Sequence, residues 1–531
     1  MTDLVLGGGT LVDGTGAPPR AADVLIAGRR VEAVIERVVE PGIAPGIAPG
    51  VPRLDVSGRV VCPGFVDIHT HSDLALLSNP LAHSKVRQGV TTEVVGNCGL
   101  GVAPLGSDVD PAALRQAVAY LDLDPAVGIT WRTVAEYLDT LAAARPSLHV
   151  GTLAGHVPVR TAVLGFDDRP ASPAEVTAMA DVLAGALRDG ALGLSTGLMY
   201  PPLRTARTDE LVALGEVVAE HGGVFAWHLR DYGDDLLASA TEAVLIARRA
   251  GCRTQISHLC SVGERNWGRV SEVLAMLDAE GVETGTDIGV DIYPYLAGNA
   301  PLSQLLPEWV TDAGPSVIPE RLADPVVRQR IAAAWAHNAV PWTEITVASG
   351  ADAAVLGRTV ADLATDRPAV DVVLDLVATH GNGVFMTAGG RSPEDLRAVL
   401  DHDRAVVASD GLALDPDGPT GRGFPHPRSY GTFPRVLART SGTALATAVH
   451  KATSAPARRV GLTDRGEVRA GQLADLVVLD MERLADRATF LHPQLFPAGV
   501  EHVLVAGTMV VENGSHTGSR PGDVVRRAPT K

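Results

Sequence analysis

Eight short apolar runs recur along the middle of the 531-residue chain: FVDIHTH, TEVVGNCG, HVGTLAG, ALGLSTG, VFAWHLR, RTQISHL, GVDIYPY and AVVASDG. Helix-forming stretches alternate with them. A strand, a helix and a second strand in that order favour parallel pairing, because the crossover carries the chain back to its starting edge. Eight such units predict an α/β fold, a closed (β/α)8 barrel of the TIM type. The helices carry their own punctuation. SPAEVTAMADVLAGALRDG offers Ser172 as N-cap, Pro173 in the first turn, Glu175 to complete a capping box and Gly190 as the stop. TDELVALGEVVAEHGG repeats the pattern with Thr208 and Gly222.

The two ends read differently. DLVLGGGTLVDG, ADVLIAGRRVEAVI and RLDVSGRVVCPG have strand-turn-strand character, and so do GQLADLVVLD and EHVLVAGTMVVENG. Chain ends often meet, so residues 1–62 and 456–531 are expected to join in one small β-sandwich domain beside a barrel spanning 63–455. PGIAPGIAPG, within the first part, reads as a surface loop. Irregular, proline-rich sequence over 296–350 interrupts the last repeat and predicts an inserted lid.

A net charge of −17 argues against nucleic acid or an anionic membrane as partner. No stretch has the length of a membrane span, and residues 1–30 lack the basic-then-apolar order of a signal peptide. Four cysteines in so long a chain, Cys62, Cys98, Cys252 and Cys260, form no disulfide framework. The expectation is a cytoplasmic protein acting on a small molecule, with its oligomeric state open.

In such a barrel, function gathers at the C-terminal ends of the strands. Six residues of metal-ligand type fall there: His69 and His71 on the first strand, Cys98 on the second, His228 on the fifth, His258 on the sixth and Asp410 on the eighth. Alternation along the first strand would aim His69 and His71 the same way. Each has an ordinary alternative, since a lone histidine is more often a hydrogen-bonded core residue and a lone cysteine a small buried hydrophobe. Imidazole, thiolate and carboxylate together favour zinc over calcium or magnesium. Six ligands exceed one tetrahedral shell, so one or two ions could be served.

The segments PGFVDIHTH, VVGNCG, STGLMYPP, WHLR, SHL…NWGR, DIYPY, SDG, HPRSYGTFPRVL, GQLADLVVLD and VENGSHTGSRPG span nearly the whole chain. Together they resemble the D-aminoacylase (N-acyl-D-amino-acid deacylase) branch of the metal-dependent amidohydrolases. The resemblance implies a barrel with a small β domain and a zinc site at the barrel mouth. It implies that Cys98, His228 and His258 hold the tighter zinc, and that His69, His71 and Asp410 face a second, weaker position with the Cys98 thiolate between the two. Dihydropyrimidinase- and urease-like relatives resemble the chain in its HxH strand, but bridge two metals with a carboxylated lysine on the fourth strand. Here that strand reads ALGLSTG, and the three lysines are Lys85, Lys451 and Lys531. The expected chemistry is hydrolysis of the amide bond of an N-acyl amino acid by metal-activated water, with Asp410 as general acid and base.

The chain departs from that branch where the substrate's carboxylate is recognised. The usual lysine two residues after the strand 6 histidine is Cys260, and the usual serine six residues after the first tyrosine of YPY is Asn299; Tyr293 remains. Arg428 of HPRSYG is a candidate replacement for the missing charge, or equally an arginine tying a loop to the barrel rim. Cys260 is also a candidate further soft ligand. Three readings therefore stand: a zinc deacylase of an N-acyl amino acid, a hydrolase of a cyclic amide, ester or carboxylate-masked peptide-like substrate on the same barrel, and a non-catalytic binding protein with a vestigial site.

Overall fold

The computed structural model describes residues 2–37, 50–121, 123–311, 317–337, 340–438 and 440–527. All but the last residue of PGIAPGIAPG lie outside the described residues. Each of the eight runs contributes a strand: β1 Phe65–Asp67, β2 Val90–Val95, β3 His149–Thr152, β4 Gly193–Gly197, β5 Val224–His228, β6 Arg253–Ile256, β7 Ile288–Ile292 and β8 Ala405–Val407. Pairing is parallel from β1 through β2 to β3, and from the continuation of β3 at Ala154–Gly155 through β4, β5, β6 and β7 to β8. A parallel bridge between Thr70 and Gly411, just past β1 and β8, joins the two ends of the ring. The strands are buried along nearly their whole length, as parallel strands covered on both faces must be. Val66, Val94, Leu192, Val224 and Val406 fill the barrel interior, together with Val525 from the C-terminal tail. The tail reaches them because Val525 N–H donates to the Val150 carbonyl at 2.7 Å.

The helix Pro173–Arg188 begins as its sequence predicts, with reciprocal bonds between Ser172 and Glu175. The next helix does not. It spans Thr208–Glu220, so Thr208 lies inside it, and its N-cap is Arg207 with no side-chain cap bond. Three residues on from Thr208 stands Leu211, so no acid closes a box there, and Glu210 is turned inward to His156 and Arg160.

Both ends of the chain build one ten-stranded sheet, in which Val60–Pro63 pairs with Leu476–Leu479. The sheet folds over a core that Leu6, Val24 and Ile26 share with Leu476, Val478 and Leu504, giving the sandwich-like β domain. Between β7 and β8 the chain leaves the barrel. Gly298–Pro301 pairs antiparallel with Phe385–Ala388, which pairs in turn with Ile345–Ser349. Helices Ile318–Ala323, Pro325–Ala334 and Ala369–His380 close a separate core around Leu322, Ile331, Val347, Val373 and Val384. This body extends past residue 350, because its middle strand is Phe385–Ala388. Among the described residues no helix is long and apolar enough to cross a membrane.

Candidate functional site

The six ligand-type residues converge at the C-terminal mouth of the barrel. His228 is the last residue of β5, His258 stands two past β6, Cys98 three past β2 and Asp410 three past β8. β1 ends at Asp67, so His69 and His71 sit beyond the strand rather than on it. The Thr70 bridge and the bond from Asp410 N–H to the His69 carbonyl, 2.8 Å, fix their direction instead.

Three of the six have left-handed backbone: Cys98 (φ 54°), His258 (φ 36°) and Asp410 (φ 51°). Such conformations are uncommon for residues other than glycine and cluster at functional sites, where the surrounding structure holds the strain. Here each one bends a side chain back over the barrel axis.

His228 Nδ1 lies 3.0 Å from His258 Nε2, and Cys98 Sγ lies 3.6 Å from the same His258 nitrogen and 3.3 Å from His69 Nε2. On the other side Asp410 Oδ1 is 2.9 Å from His71 Nε2 and 3.4 Å from His69 Nε2. Within the sets Cys98–His228–His258, His69–His71–Cys98 and His69–His258–Asp410, every donor atom lies within 4.8 Å of the others. Burial drives the His228 pKa down to about 3 and the His71 pKa down to about 4, the latter against the pull of Asp410. Both rings are therefore neutral at pH 7, the state a metal requires. Burial also raises the Cys98 thiol, against the opposing pull of His69. A buried thiol, facing imidazoles and a carboxylate crowded onto one point fit a soft-to-borderline divalent ion such as zinc.

Asp410 is buried, which by itself would raise its pKa, but Arg428, His69 and His71 outweigh that and hold it well below the usual carboxylate range. Arg428 is likewise buried. One terminal nitrogen donates to Asp410 Oδ2 at 2.6 Å and the other donates to the Tyr120 hydroxyl oxygen at 3.1 Å. Of the two roles open to Arg428, these bonds favour holding structure at the barrel rim over gripping substrate.

Beside this centre opens a cavity of about 1050 Å³ that takes in His71, Cys98, His228, His258 and Asp410. Tyr293 lines it, flanked by the guanidinium groups of Arg428 at 4.5 Å and Arg391 at 4.9 Å. Cys260 lines the cavity too, and its sulfur belongs to none of the donor sets. Asn299 lies on the inserted body and gives its amide N–H to the Met386 carbonyl at 3.0 Å, which leaves its oxygen for the cavity.

Two residues escape the sequence reading. Arg391 follows Gly389–Gly390 at the exit of the inserted body, and its buried Nη1 has no hydrogen-bond partner. Asp291 on β7 takes His69 Nδ1 at 3.0 Å and the His258 backbone N–H at 2.8 Å, so one carboxylate oxygen orients two donors. Asp291 sits in the quoted GVDIYPY run, on a predicted strand and just before the tyrosine already singled out. That position was the available signal. Arg391 offered none, since its place depends on how the insertion folds. His149, His156 and His450 are hydrogen-bonded to Asp475, Glu210 and the Gly14 carbonyl, away from the centre.

Residues 54–511 match the Amidohydrolase family. The chain is 36% identical to D-aminoacylase of Alcaligenes xylosoxydans xylosoxydans, over 99% of this chain and 98% of that one. It is 36% identical to N-acyl-D-glutamate deacylase of the same organism, over 99% and 96%. The structure of N-acyl-D-glutamate deacylase from Bordetella bronchiseptica, complexed with zinc and a phosphonate mimic of the tetrahedral intermediate, superposes with a TM-score of 0.82 at 32% identity, covering 99% of both chains. With its barrel, its two-ended β domain and its thiol–imidazole–carboxylate centre, the chain belongs to the amidohydrolase family, in the branch of the D-aminoacylases.

Proposed function

We propose that this protein is a zinc-dependent N-acyl-D-amino-acid deacylase, cleaving a linear amide to a carboxylate and a free D-amino acid. The observation that carries the reading is one cavity holding three things: the Cys98–His228–His258 donor set, an ionised Asp410 beside it, and the Arg391 guanidinium, which has no carboxylate partner among the described residues. In this reading Cys98, His228 and His258 hold the tighter zinc, and His69, His71 and Asp410 face a weaker second position. Bound zinc supplies Lewis acidity, polarising the amide carbonyl and bringing the pKa of a water toward neutrality.

The chain's own residues do the rest. Asp410 Oδ1 accepts the proton of the attacking water and later delivers it to the leaving nitrogen. Arg428 fixes the other carboxylate oxygen, which leaves Oδ1, facing His71 Nε2 at 2.9 Å, as the oxygen that exchanges the proton. Arg391, stacked near Tyr293, meets the substrate's α-carboxylate, taking the place of the lysine that Cys260 replaces. That removes the reason to invoke a carboxylate-masked substrate. Asn299 supplies an amide oxygen, and the inserted body, from Gly298 to Ala388, roofs the cavity as a lid. Four free, buried thiols suit the reducing cytoplasm, where we place the enzyme.

The test is hydrolysis of N-acetyl amino acids of both hands, with zinc added or chelated. Zinc-dependent release of D-amino acids is the expected result. Asp410→Asn abolishes turnover and leaves the tight zinc bound; near-normal turnover in that variant would refute the assignment.

A further inference from the structure

Sequence identity does not separate the side-chain classes, because the chain is 36% identical both to D-aminoacylase and to N-acyl-D-glutamate deacylase. The charges lining the cavity do separate them. Every N-acyl amino acid brings one α-carboxylate, and N-acyl-D-glutamate or N-acyl-D-aspartate brings a second. Five arginines line the cavity: Arg204, Arg230, Arg265, Arg391 and Arg428. Four of them already hold a carboxylate. Arg204 pairs with Asp168, Arg230 with Glu242 at 2.7 Å, Arg265 with Asp234 at 2.7 Å, and Arg428 with Asp410 at 2.6 Å. Among the described residues Arg391 alone of the five has no carboxylate partner, and its Nη1 is buried without any hydrogen bond. One guanidinium without a carboxylate matches one substrate carboxylate.

The remaining wall is unfavourable to a second anion. Leu100, Met199, Leu305, Leu306 and Met386 form its apolar part. Asp231 and Asp235, on the loop after β5, add two carboxylates to its rim, where Arg265, already paired with Asp234, is the basic group that Asp231 feels. A second carboxylate on the apolar part would lose its water and at the acidic rim would approach like charge, while Ser303, Gln304 and Asn382 offer it neutral donors but no counter-charge.

We propose that the enzyme selects N-acyl-D-amino acids with uncharged, mainly apolar side chains and discriminates against D-glutamate and D-aspartate. The inference rests on the deacylase reading above. Its test compares kcat/KM of the zinc-loaded full chain for N-acetyl-D-leucine, N-acetyl-D-methionine, N-acetyl-D-glutamate and N-acetyl-D-aspartate. The expected preference for the neutral pair is roughly 100-fold or more, the scale for burying an unpaired charge. Equal or better hydrolysis of the acidic pair would overturn the inference and leave the deacylase reading standing. Hydrolysis of none of the four would overturn both. Gln304→Arg, beside Met199 on the apolar wall, adds a guanidinium without touching the reacting groups. It should raise the glutamate-to-leucine ratio at least about tenfold; an unchanged ratio in a folded variant that still cleaves N-acetyl-D-leucine would show that charge count does not set the selectivity.

Discussion

Arg428 gives both terminal nitrogens to protein, one to Asp410 and one to Tyr120, so its loss would leave the carboxylate with imidazole neighbours alone. Arg428→Met is therefore expected to lower kcat by about 100-fold, because a misplaced general base fails in the transition state while substrate binding persists. Arg428→Lys should recover part of the loss as a point charge without the second bond. Steady-state kinetics check this; a large rise in KM at constant kcat would mean that Arg428 grips substrate after all. Cys98→Ser is expected to drop zinc content below stoichiometric, measured by metal analysis after dialysis, since a hydroxyl is a far poorer zinc ligand than a thiolate. The residues visible in the sequence are the ones whose chemistry few side chains can supply: an HxH pair, a cysteine and an aspartate at predicted strand ends. Arg391 and Asp291 were not visible in the same way. Arginine carries nearly all this chain's positive charge, so one more arginine is no signal. Asp291 acts only through the histidines it orients.

The eight barrel strands were legible because each is a short apolar run bounded by turn residues and helix signals, a local pattern. The inserted body was not. Its strands Ile345–Ser349 and Phe385–Ala388 pair across more than thirty residues, and strand propensity is decided by such partners more than by the strand itself. The same body reaches the catalytic groups through Phe385. Phe385 packs on the Tyr120 ring with centroids 5.4 Å apart, and Tyr120 stands 4.9 Å from the His71 ring while its hydroxyl meets Arg428. Phe385→Ala should therefore loosen the roof of the cavity. The expected outcome is a several-fold rise in KM and faster proteolytic nicking within the insertion, with zinc content unchanged. A variant that loses zinc instead would place Phe385 in the support of the metal centre. The Thr208 cap fails for a local reason, because the residue three on is Leu211 and nothing closes a box, while Glu210 answers to buried His156 and Arg160.

For the whole molecule, the sandwich built from both chain ends was legible from paired strand-turn-strand patterns, yet the tail that seals the barrel at Val150 was not, being a single backbone bridge. What the sequence hides most completely is the charge balance beneath the site. Asp67, Asp73, Glu93 and Lys85 are all fully buried near the ends of β1 and β2, three acids against one lysine. Lys85 donates to Asp67 at 2.9 Å and stands 3.7 Å from Glu93, while Asp73 has only the backbone N–H groups of Gly96 and its own residue to face. Burial raises Asp73 to about 8, with neighbouring Glu93 adding to it, and burial raises Glu93 to about 7 against the pull of Lys85. In the unfolded chain such acids titrate near 3.8 and 4.5. Between those values and the raised ones the folded state keeps protons that the unfolded state has released, so stability falls as pH rises through that window. Below the unfolded values both states are protonated and the term is fully favourable. Asp73→Asn makes the uncharged form permanent. By urea midpoint the variant should therefore be only modestly more stable than the parent near about pH 5, and its advantage should grow by a few kcal/mol up to about pH 8.5. Comparing the two proteins at each pH cancels the pH dependence of the metal centre they share. A variant less stable than the parent at the higher pH would mean that the Asp73 carboxylate is ionised in the fold and held there by a partner.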